Sequence, residues 1–134
     1  MVDECYCSVT AVRDFKNLLV WQAAMDLVED VYRLTRGFPK HETWGLASQL
    51  QRAAVSVPSN IAEGRDKGSR QEYLQALMIA RGSMAEVETQ LLIAMRLNYL
   101  PNDDPAFDRL KQCYRLLYGL IRSLRTAISN TPRQ

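Results

Sequence analysis

The residues best suited to chemistry are basic side chains in the last part of the chain. Residues 109–134 include six arginines and lysines and no acidic residue, although the net charge of the whole chain is only +2. If this segment is a helix, five of its residues fall within an arc of about 80°: Lys111, Arg115, Tyr118, Arg122 and Arg125. Arginines along one helical face suit phosphates, and an aromatic ring among them suits stacked bases. The pattern predicts an RNA- or DNA-binding face; the alternative is a solvated basic surface.

A second basic group occupies the segment from Gly64 to Arg70, directly before a predicted helix. Its cations are Arg65, Lys67 and Arg70. Free backbone amides at the start of a helix attract anions, and positive side chains strengthen that attraction. The segment is therefore either an anion-binding loop or an ordinary helix–helix turn with solvated charges.

Patterns for catalysis and metal binding are weak. The single histidine, His41, follows Arg36 in an order that superficially matches small helical ribonucleases, but a glycine and a proline place the pair in a loop. General acid–base catalysis also needs a positioned partner, and none is evident. Cys5 and Cys7 lack the further ligands that a metal site needs. We predict no enzymatic activity, metal or cofactor, with a ribonuclease as the distant alternative.

Four predicted helices position these residues. They span about 18–36, 43–65, 70–99 and 105–129, with Asn17, Thr43, Ser69 and Asp104 as N-caps. Each helix has an apolar face and the connections are short, so the sequence predicts an all-α, antiparallel up-down-up-down four-helix bundle. We expect residues 15–134 to form this single domain and residues 1–14 to be a mobile extension.

The second predicted helix contains Pro58, which removes a backbone donor and predicts a kink; a break at 56–59 is the alternative. A polar row runs along the same helix. Its residues are Gln49, Arg52, Ser56, Asn60 and Glu63. Short and amide-bearing side chains of this kind favour an inter-helix network, with Arg81 and Glu88 of the third helix as partners, over a ligand site.

The third predicted helix is apolar on two sides. Ile79, Ile93 and Leu97 lie nearly opposite its core face. Because a helix that is apolar on two sides is buried on two sides, we interpret these residues as a subunit interface. The alternative is that they are isolated surface aliphatics, which are common.

The composition bounds the class of protein. Hydrophobic residues make up 47% of the chain and charged residues 24%, which is typical of a globular domain. No apolar run approaches the roughly 18 residues of a membrane span, and the first residues do not show a signal-peptide pattern. Three cysteines without framework spacing suit a reducing compartment. We therefore expect a cytoplasmic protein without a membrane association.

Residues 15–100 resemble a known family. The resemblance rests on Phe15-x-x-Leu18-x-x-Trp21-x-x-Ala24, Phe38-Pro39-x-x-Glu42-x-x-Gly45-Leu46-x-x-Gln49-Leu50-x-Arg52-Ala53-Ala54-Val55-Ser56-Val57-Pro58-x-Asn60-Ile61-Ala62-Glu63-Gly64, and Ala80-x-Gly82-Ser83-x-x-Glu86. This pattern is similar to the intervening-sequence protein family, bacterial four-helix-bundle proteins encoded in insertions of large-subunit ribosomal RNA genes. The fourth helix matches the family in character only.

The resemblance implies that the chains assemble as a ring, a homopentamer. It implies no catalytic residues. Relatives in this group include the accessory protein of diversity-generating retroelements, which binds nucleic acid and a reverse transcriptase. The family resemblance also implies that Gly82 and Ser83 allow two helices to approach each other closely. We therefore predict an oligomeric accessory protein that binds RNA or DNA through its fourth helix. The alternative is a structural oligomer that scaffolds a protein partner, such as a reverse transcriptase.

Overall fold

The described residues form four α-helices. They are α1 (Leu19–Thr35), α2 (Leu46–Arg65), α3 (Arg70–Arg96) and α4 (Pro105–Ser129), with single 3₁₀ turns at Phe15–Asn17 and Lys40–Glu42. The computed structural model describes residues 14–130 and 132, and these residues contain no β-strand. The all-α prediction is confirmed. Most of the predicted 1–14 extension, with Cys5 and Cys7, lies outside the described residues.

The starts of α3 and α4 follow from local capping chemistry. The Ser69 hydroxyl accepts a hydrogen bond from the Glu72 amide at 3.1 Å. The Asp104 carboxylate accepts one from the Ala106 amide at 2.9 Å, with proline at the first helical position. Both caps satisfy amides that lack a partner inside the helix, as the sequence predicted.

The predicted caps of the first two helices are wrong. Asn17 belongs to the first 3₁₀ turn, and α1 begins after Leu18 without a side-chain cap. In place of Thr43, Gly45 precedes α2, and the Glu42 carboxylate accepts a hydrogen bond from the Leu46 amide at 3.2 Å. This carboxylate reaches the helix from the preceding turn, so the capping pattern expected at Thr43 did not reveal it.

The end of α3 comes three residues earlier than predicted. Asn98 adopts a left-handed conformation with a φ of 63°. The Tyr99 amide donates to the Ala94 carbonyl at 2.9 Å, and the Asn98 amide to the Met95 carbonyl at 3.0 Å. This pair of bonds terminates a helix by reversing the chain, and asparagine tolerates the conformation better than most residues. The stop is therefore Asn98 rather than Pro101.

One hydrophobic core joins the four helices. Each helix packs against its neighbours in the chain, α1 also packs against α4, and the most extensive contact is between α2 and α3. The largest fully buried side chains come from all four helices: Leu27, Val31, Leu50, Val57, Ile61, Leu77, Met84, Val87, Leu91, Cys113 and Leu117. Burial raises the pKa of the Cys113 thiol to about 12, so this cysteine serves as a core residue.

Two small-residue predictions have different outcomes. Pro58 is buried inside α2, which continues from Leu46 to Arg65 without the alternative break at 56–59; the bend itself stays a prediction. Gly82 does not mediate close approach between helices of the chain, because a Cβ there would meet nothing within 4 Å. The close approach occurs at Gly64, where a Cβ would lie 2.6 Å from the Cβ of Ala76 in α3.

Candidate nucleic-acid interface

The predicted basic residues lie together on the outside of α4. Lys111, Arg115, Tyr118, Arg122 and Arg125 are all exposed and are called the basic face below. In the described part of the chain, no carboxylate lies within 4 Å of the four cations. The charge of this face is therefore open to an external anion.

Arg109, on the opposite side of α4, has a different environment. Its Nε lies 3.3 Å from the Asp30 carboxylate and its Nη1 lies 3.6 Å from that of Asp26, both in α1. Its Nη1 also donates to the Gln112 amide oxygen at 3.3 Å. Although Arg109 belongs to the basic segment 109–134 of the sequence, its side chain lies in the contact between α1 and α4.

Tyr118 forms part of an aromatic pair within the basic face. Its ring stacks on that of Tyr114 with a centroid distance of 5.7 Å and an interplanar angle of 13°. The Tyr114 hydroxyl donates to the Glu88 carboxylate of α3 at 3.3 Å. Burial, followed by the negative charge of Glu88, raises the pKa of Tyr114 to about 12. Sequence reasoning missed Tyr114, although its i, i+4 spacing from Tyr118 points to a contact.

A surface groove of about 380 Å³ continues from Tyr118 toward the end of α4. Its lining consists of Tyr118, Ile121, Arg122, Arg125, Thr126 and Ser129. The Arg125 Nη2 lies 3.7 Å from the Met78 sulfur of α3, and the Thr126 hydroxyl donates to the Arg122 carbonyl at 3.1 Å. The groove therefore combines an aromatic ring, an aliphatic side chain, two guanidinium groups and two hydroxyls.

The predicted anion-binding loop is partly engaged within the chain. Lys67 lies 3.7 Å from the Glu63 carboxylate, and the Arg65 guanidinium lies 5.9 Å from the centre of the Tyr73 ring. Arg70 donates to the Ala127 carbonyl of α4 at 3.5 Å. All three cations line a shared groove of about 280 Å³, and anion binding by this loop stays a prediction. The contacts of Arg65 and Arg70 also hold the α2–α3 turn against α3 and α4.

The predicted polar network is smaller than expected. The Ser56 hydroxyl hydrogen-bonds the Ser83 hydroxyl of α3 at 2.8 Å, and the Asn60 amide donates to the Ser56 carbonyl at 2.8 Å and to its hydroxyl at 3.0 Å. Glu63 pairs with Lys67 instead of joining the network. Gln49 and Arg52 line an adjacent groove.

The predicted α3 partners of this network are wrong. Glu88 bonds Tyr114 of α4, and the positive charge of Arg81 partly offsets the rise in the pKa of the same tyrosine that burial and Glu88 cause. Both residues therefore act at the α3–α4 contact. Ser83 is the actual partner of Ser56, because it lies on the side of α3 that faces α2.

The predicted interface residues of α3 are accessible in the single chain. Ile79 is 53% exposed, Leu97 48% and Ile93 42%. They are free to meet another subunit, and their burial in an assembly stays a prediction.

The loop that contains Arg36 and His41 joins α1 to α2, and its residues contact Tyr99 and the start of α2. The Tyr99 hydroxyl donates to the Glu42 carboxylate at 2.9 Å and lies 3.5 Å from the His41 Nε2. The hydrogen bond from Leu46, then that from Tyr99, lowers the pKa of Glu42. In residues 14–130, no three potential metal ligands cluster, and no helix is both long and apolar enough to cross a bilayer.

The sequence from residue 16 to residue 123 matches the model of the 23S rRNA-intervening sequence protein family. The match includes α1, α2, α3 and most of α4. The chain belongs to this family. No curated protein matches it. The family segment reaches further into α4 than the sequence motifs suggested: Lys111, Arg115, Tyr118 and Arg122 lie inside it, and Arg125 lies beyond its end.

Proposed function

We propose that this intervening-sequence protein is a non-catalytic accessory protein that binds RNA or DNA through the basic face of α4. The observation that carries the proposal is the absence, among the described residues, of any carboxylate within 4 Å of its four cations. Phosphates bind such cations by displacing condensed counterions, without reading sequence. The membership of a family named for ribosomal RNA insertions agrees with a nucleic-acid partner.

The proposal includes an antiparallel bundle that assembles as a ring, most simply a homopentamer. Contacts between opposite helix ends support the antiparallel order: Arg33 near the end of α1 bonds Asp104 before α4, and Arg70 at the start of α3 bonds Ala127 near the end of α4. The exposed Ile79, Ile93 and Leu97 supply an apolar contact surface. A ring repeats the basic face, so modest contacts at each copy add through multivalency.

Nucleic-acid binding is tested by removing two charges from the basic face. Arg115→Gln/Arg122→Gln should weaken the binding of structured RNA and of duplex DNA at least tenfold at low salt. It should also reduce the slope of log affinity against log salt by about two, because two phosphate contacts are lost. The fold should persist, since both side chains are exposed.

The control for this experiment is Arg36→Gln/Arg96→Gln, which removes the same charge from exposed positions outside the basic face. If both double variants lose affinity equally, the protein binds through its net charge and the assigned face is wrong. If the unmodified protein binds neither nucleic acid, the proposed function is wrong.

The assembly is tested by light scattering of the full chain. We expect a closed oligomer near five subunits, and Ile93→Lys should dissociate it because an unpaired buried charge is costly. Ala85→Lys is the control, because it adds a charge at an exposed position of α3 that lies about 80° or more around the helix from Ile79, Ile93 and Leu97. A monomer at micromolar concentration would contradict the ring.

A structural oligomer that scaffolds a protein, such as a reverse transcriptase, is the second candidate. Trp44 favours it, because this side chain is 91% exposed and tryptophan is enriched at protein-binding hot spots. Under this candidate, Trp44→Ala abolishes partner binding, whereas the basic-face variants do not. Cleavage of RNA that is lost in His41→Ala would instead support the ribonuclease alternative.

A further inference from the structure

The stacked tyrosines of α4 present an aromatic surface that is already held in place. The Tyr114 ring stacks nearly parallel to the Tyr118 ring at a centroid distance of 5.7 Å, and Tyr114 is itself tied to α3 through Glu88. Tyr118 remains 43% exposed. A ring that is fixed before binding loses little side-chain entropy when a ligand stacks on it. A tyrosine that only faces solvent does not need such a stacked and hydrogen-bonded neighbour.

The groove extends from Tyr118 along α4 in the direction away from Tyr114. The other lining residues, from Ile121 to Ser129, all follow Tyr118 along α4, whereas Tyr114 precedes it by one helical turn. A flat ligand that enters the groove therefore meets the ring on the side that Tyr114 leaves free. Ile121 also lines the groove but is only 2% exposed, so the Tyr118 ring is the main stacking surface.

The groove also contains groups that suit a phosphate. Arg122 and Arg125 both line it, and each presents a planar guanidinium that can donate two parallel hydrogen bonds. Ser129 adds a hydroxyl at the far end. In residues 14–130, no carboxylate lies within 4 Å of either guanidinium, so an anionic ligand meets no negative charge at contact distance.

We propose that this groove binds one unpaired nucleotide, with its base stacked on Tyr118 and its phosphate on Arg122 and Arg125. The inference rests on the proposed function and deepens it by naming the substrate class: single-stranded segments and loops, in preference to uninterrupted duplex, which reaches only the phosphate-binding cations. In a duplex, both faces of every internal base are covered by neighbouring bases, so Tyr118 has no surface to stack on. Stacking on aromatic side chains is tolerant of base identity, so the preference is for an unpaired state over any particular sequence.

The experiment compares three labelled ligands with equal numbers of phosphates: a single strand, the same strand without its bases, and a duplex. Fluorescence anisotropy of the full chain measures each affinity. The unmodified protein should bind the single strand about tenfold more tightly than the abasic strand, since stacking on one aromatic ring contributes an effect of about that size.

Tyr118→Leu should remove most of this tenfold preference, and Tyr118→Phe should retain it because the ring is preserved. Arg122→Gln should weaken binding of all three ligands and keep the ratio. The matched control is Tyr32→Leu in α1, where the tyrosine is 45% exposed and stands outside the basic face; it should keep the preference. Circular dichroism verifies that each variant is folded.

The outcomes separate the two proposals. If Tyr118→Leu keeps the preference for the single strand, or if the unmodified protein has none, the nucleotide groove is wrong while phosphate binding by the basic face stands. If the protein binds none of the three ligands, both proposals are wrong. If Tyr118→Leu and Tyr118→Phe lose the preference equally, the hydroxyl carries the effect and stacking is refuted.

Discussion

The two sides of α4 use the same residue type for different purposes. On the side toward α1, Arg109 lies 3.3 Å from Asp30 and 3.6 Å from Asp26, while Arg33 bonds Asp104 at 2.9 Å. These five residues are called the ion cluster below. On the outward side, the cations of the basic face have no such partner within the described residues.

The difference teaches that the role of an arginine depends on what the neighbouring helix supplies. α1 brings Asp26 and Asp30 to the ion cluster, so those charges hold two helices together. The basic face points away from these acids. A substitution in the ion cluster should therefore change stability, and one in the basic face should change binding.

The largest effect on stability should come from Asp104. Its carboxylate is buried, caps α4 through the Ala106 amide and accepts two hydrogen bonds from Arg33, at 2.9 and 3.4 Å. Asp104→Ala should lower the free energy of unfolding by about 2–4 kcal/mol, because the cap and a charge-assisted pair are lost together. Urea denaturation measures this loss.

The neighbouring variant Asp103→Ala is the control, since that side chain is exposed and makes no cap. It should change stability by less than about 0.5 kcal/mol. The affinity of the Asp104→Ala protein for nucleic acid should equal that of the unmodified protein when both are folded. A loss of affinity there would show that the two sides of α4 are coupled.

Two glycine substitutions test whether the outward side of α4 is open. Gly64→Ala should destabilise by about 1–3 kcal/mol, because its Cβ would lie 2.6 Å from that of Ala76. Gly119→Ala in α4 should instead stabilise by about 0.5–1 kcal/mol, since a Cβ there meets nothing within 4 Å and alanine favours the helix. Thermal denaturation compares them. Equal signs would contradict the assigned packing.

The sequence predicted best what depends on neighbours along the chain. Ser69 and Asp104 cap their helices through bonds to amides two or three residues away, so their roles could be read from the pattern. The Glu42 cap was missed because this carboxylate reaches the Leu46 amide from the preceding turn, four residues before it, which is not the usual N-cap spacing. Local chemistry therefore predicts a helix start where the capping residue directly precedes the helix.

In the candidate site too, the sequence predicted the local pattern but not the contacts between distant helices. The helical period predicted that the basic face lies on one side of α4, because that depends on angle alone. It did not predict which helix Glu88 of α3 would contact: this carboxylate bonds Tyr114 of α4 instead of the polar network of α2. The helical period left Arg109 outside the basic face, but it did not predict the partners of Arg109, since the acids that engage it are about eighty residues away in the chain.

Acid should weaken the ion cluster at Asp104. Burial raises the pKa of this carboxyl, but the hydrogen bonds from Arg33 and Ala106 and the charge of Arg33 together lower it below its usual value. A lowered pKa in the folded state gives stability that is present above the unfolded value of about 3.9 and lost as the pH falls through the folded value. The stability difference between the unmodified protein and Asp104→Asn should therefore shrink below pH about 4. A difference that stays constant in urea denaturation down to pH about 2 would contradict the assignment.

The smallest effect should come from Arg109. The Arg109 side chain is 36% exposed and its partners Asp26 and Asp30 are 51% and 18% exposed, so solvent reaches both pairs. Arg109→Gln should lower the free energy of unfolding by only about 0.2–1 kcal/mol. That loss should diminish between about 0.1 M and about 1 M salt, because ions screen exposed pairs.

The same variant sharpens the comparison between the two sides of α4. Arg109→Gln removes one positive charge from α4, as Arg122→Gln does, but from the side where Asp26 and Asp30 already neutralise it. Its affinity for nucleic acid and the salt slope of that affinity should therefore match those of the unmodified protein, whereas Arg122→Gln should reduce the slope by about one. If the two variants reduce the slope equally, phosphates reach Arg109 despite its partners, and the division of α4 into a structural and a binding side is wrong.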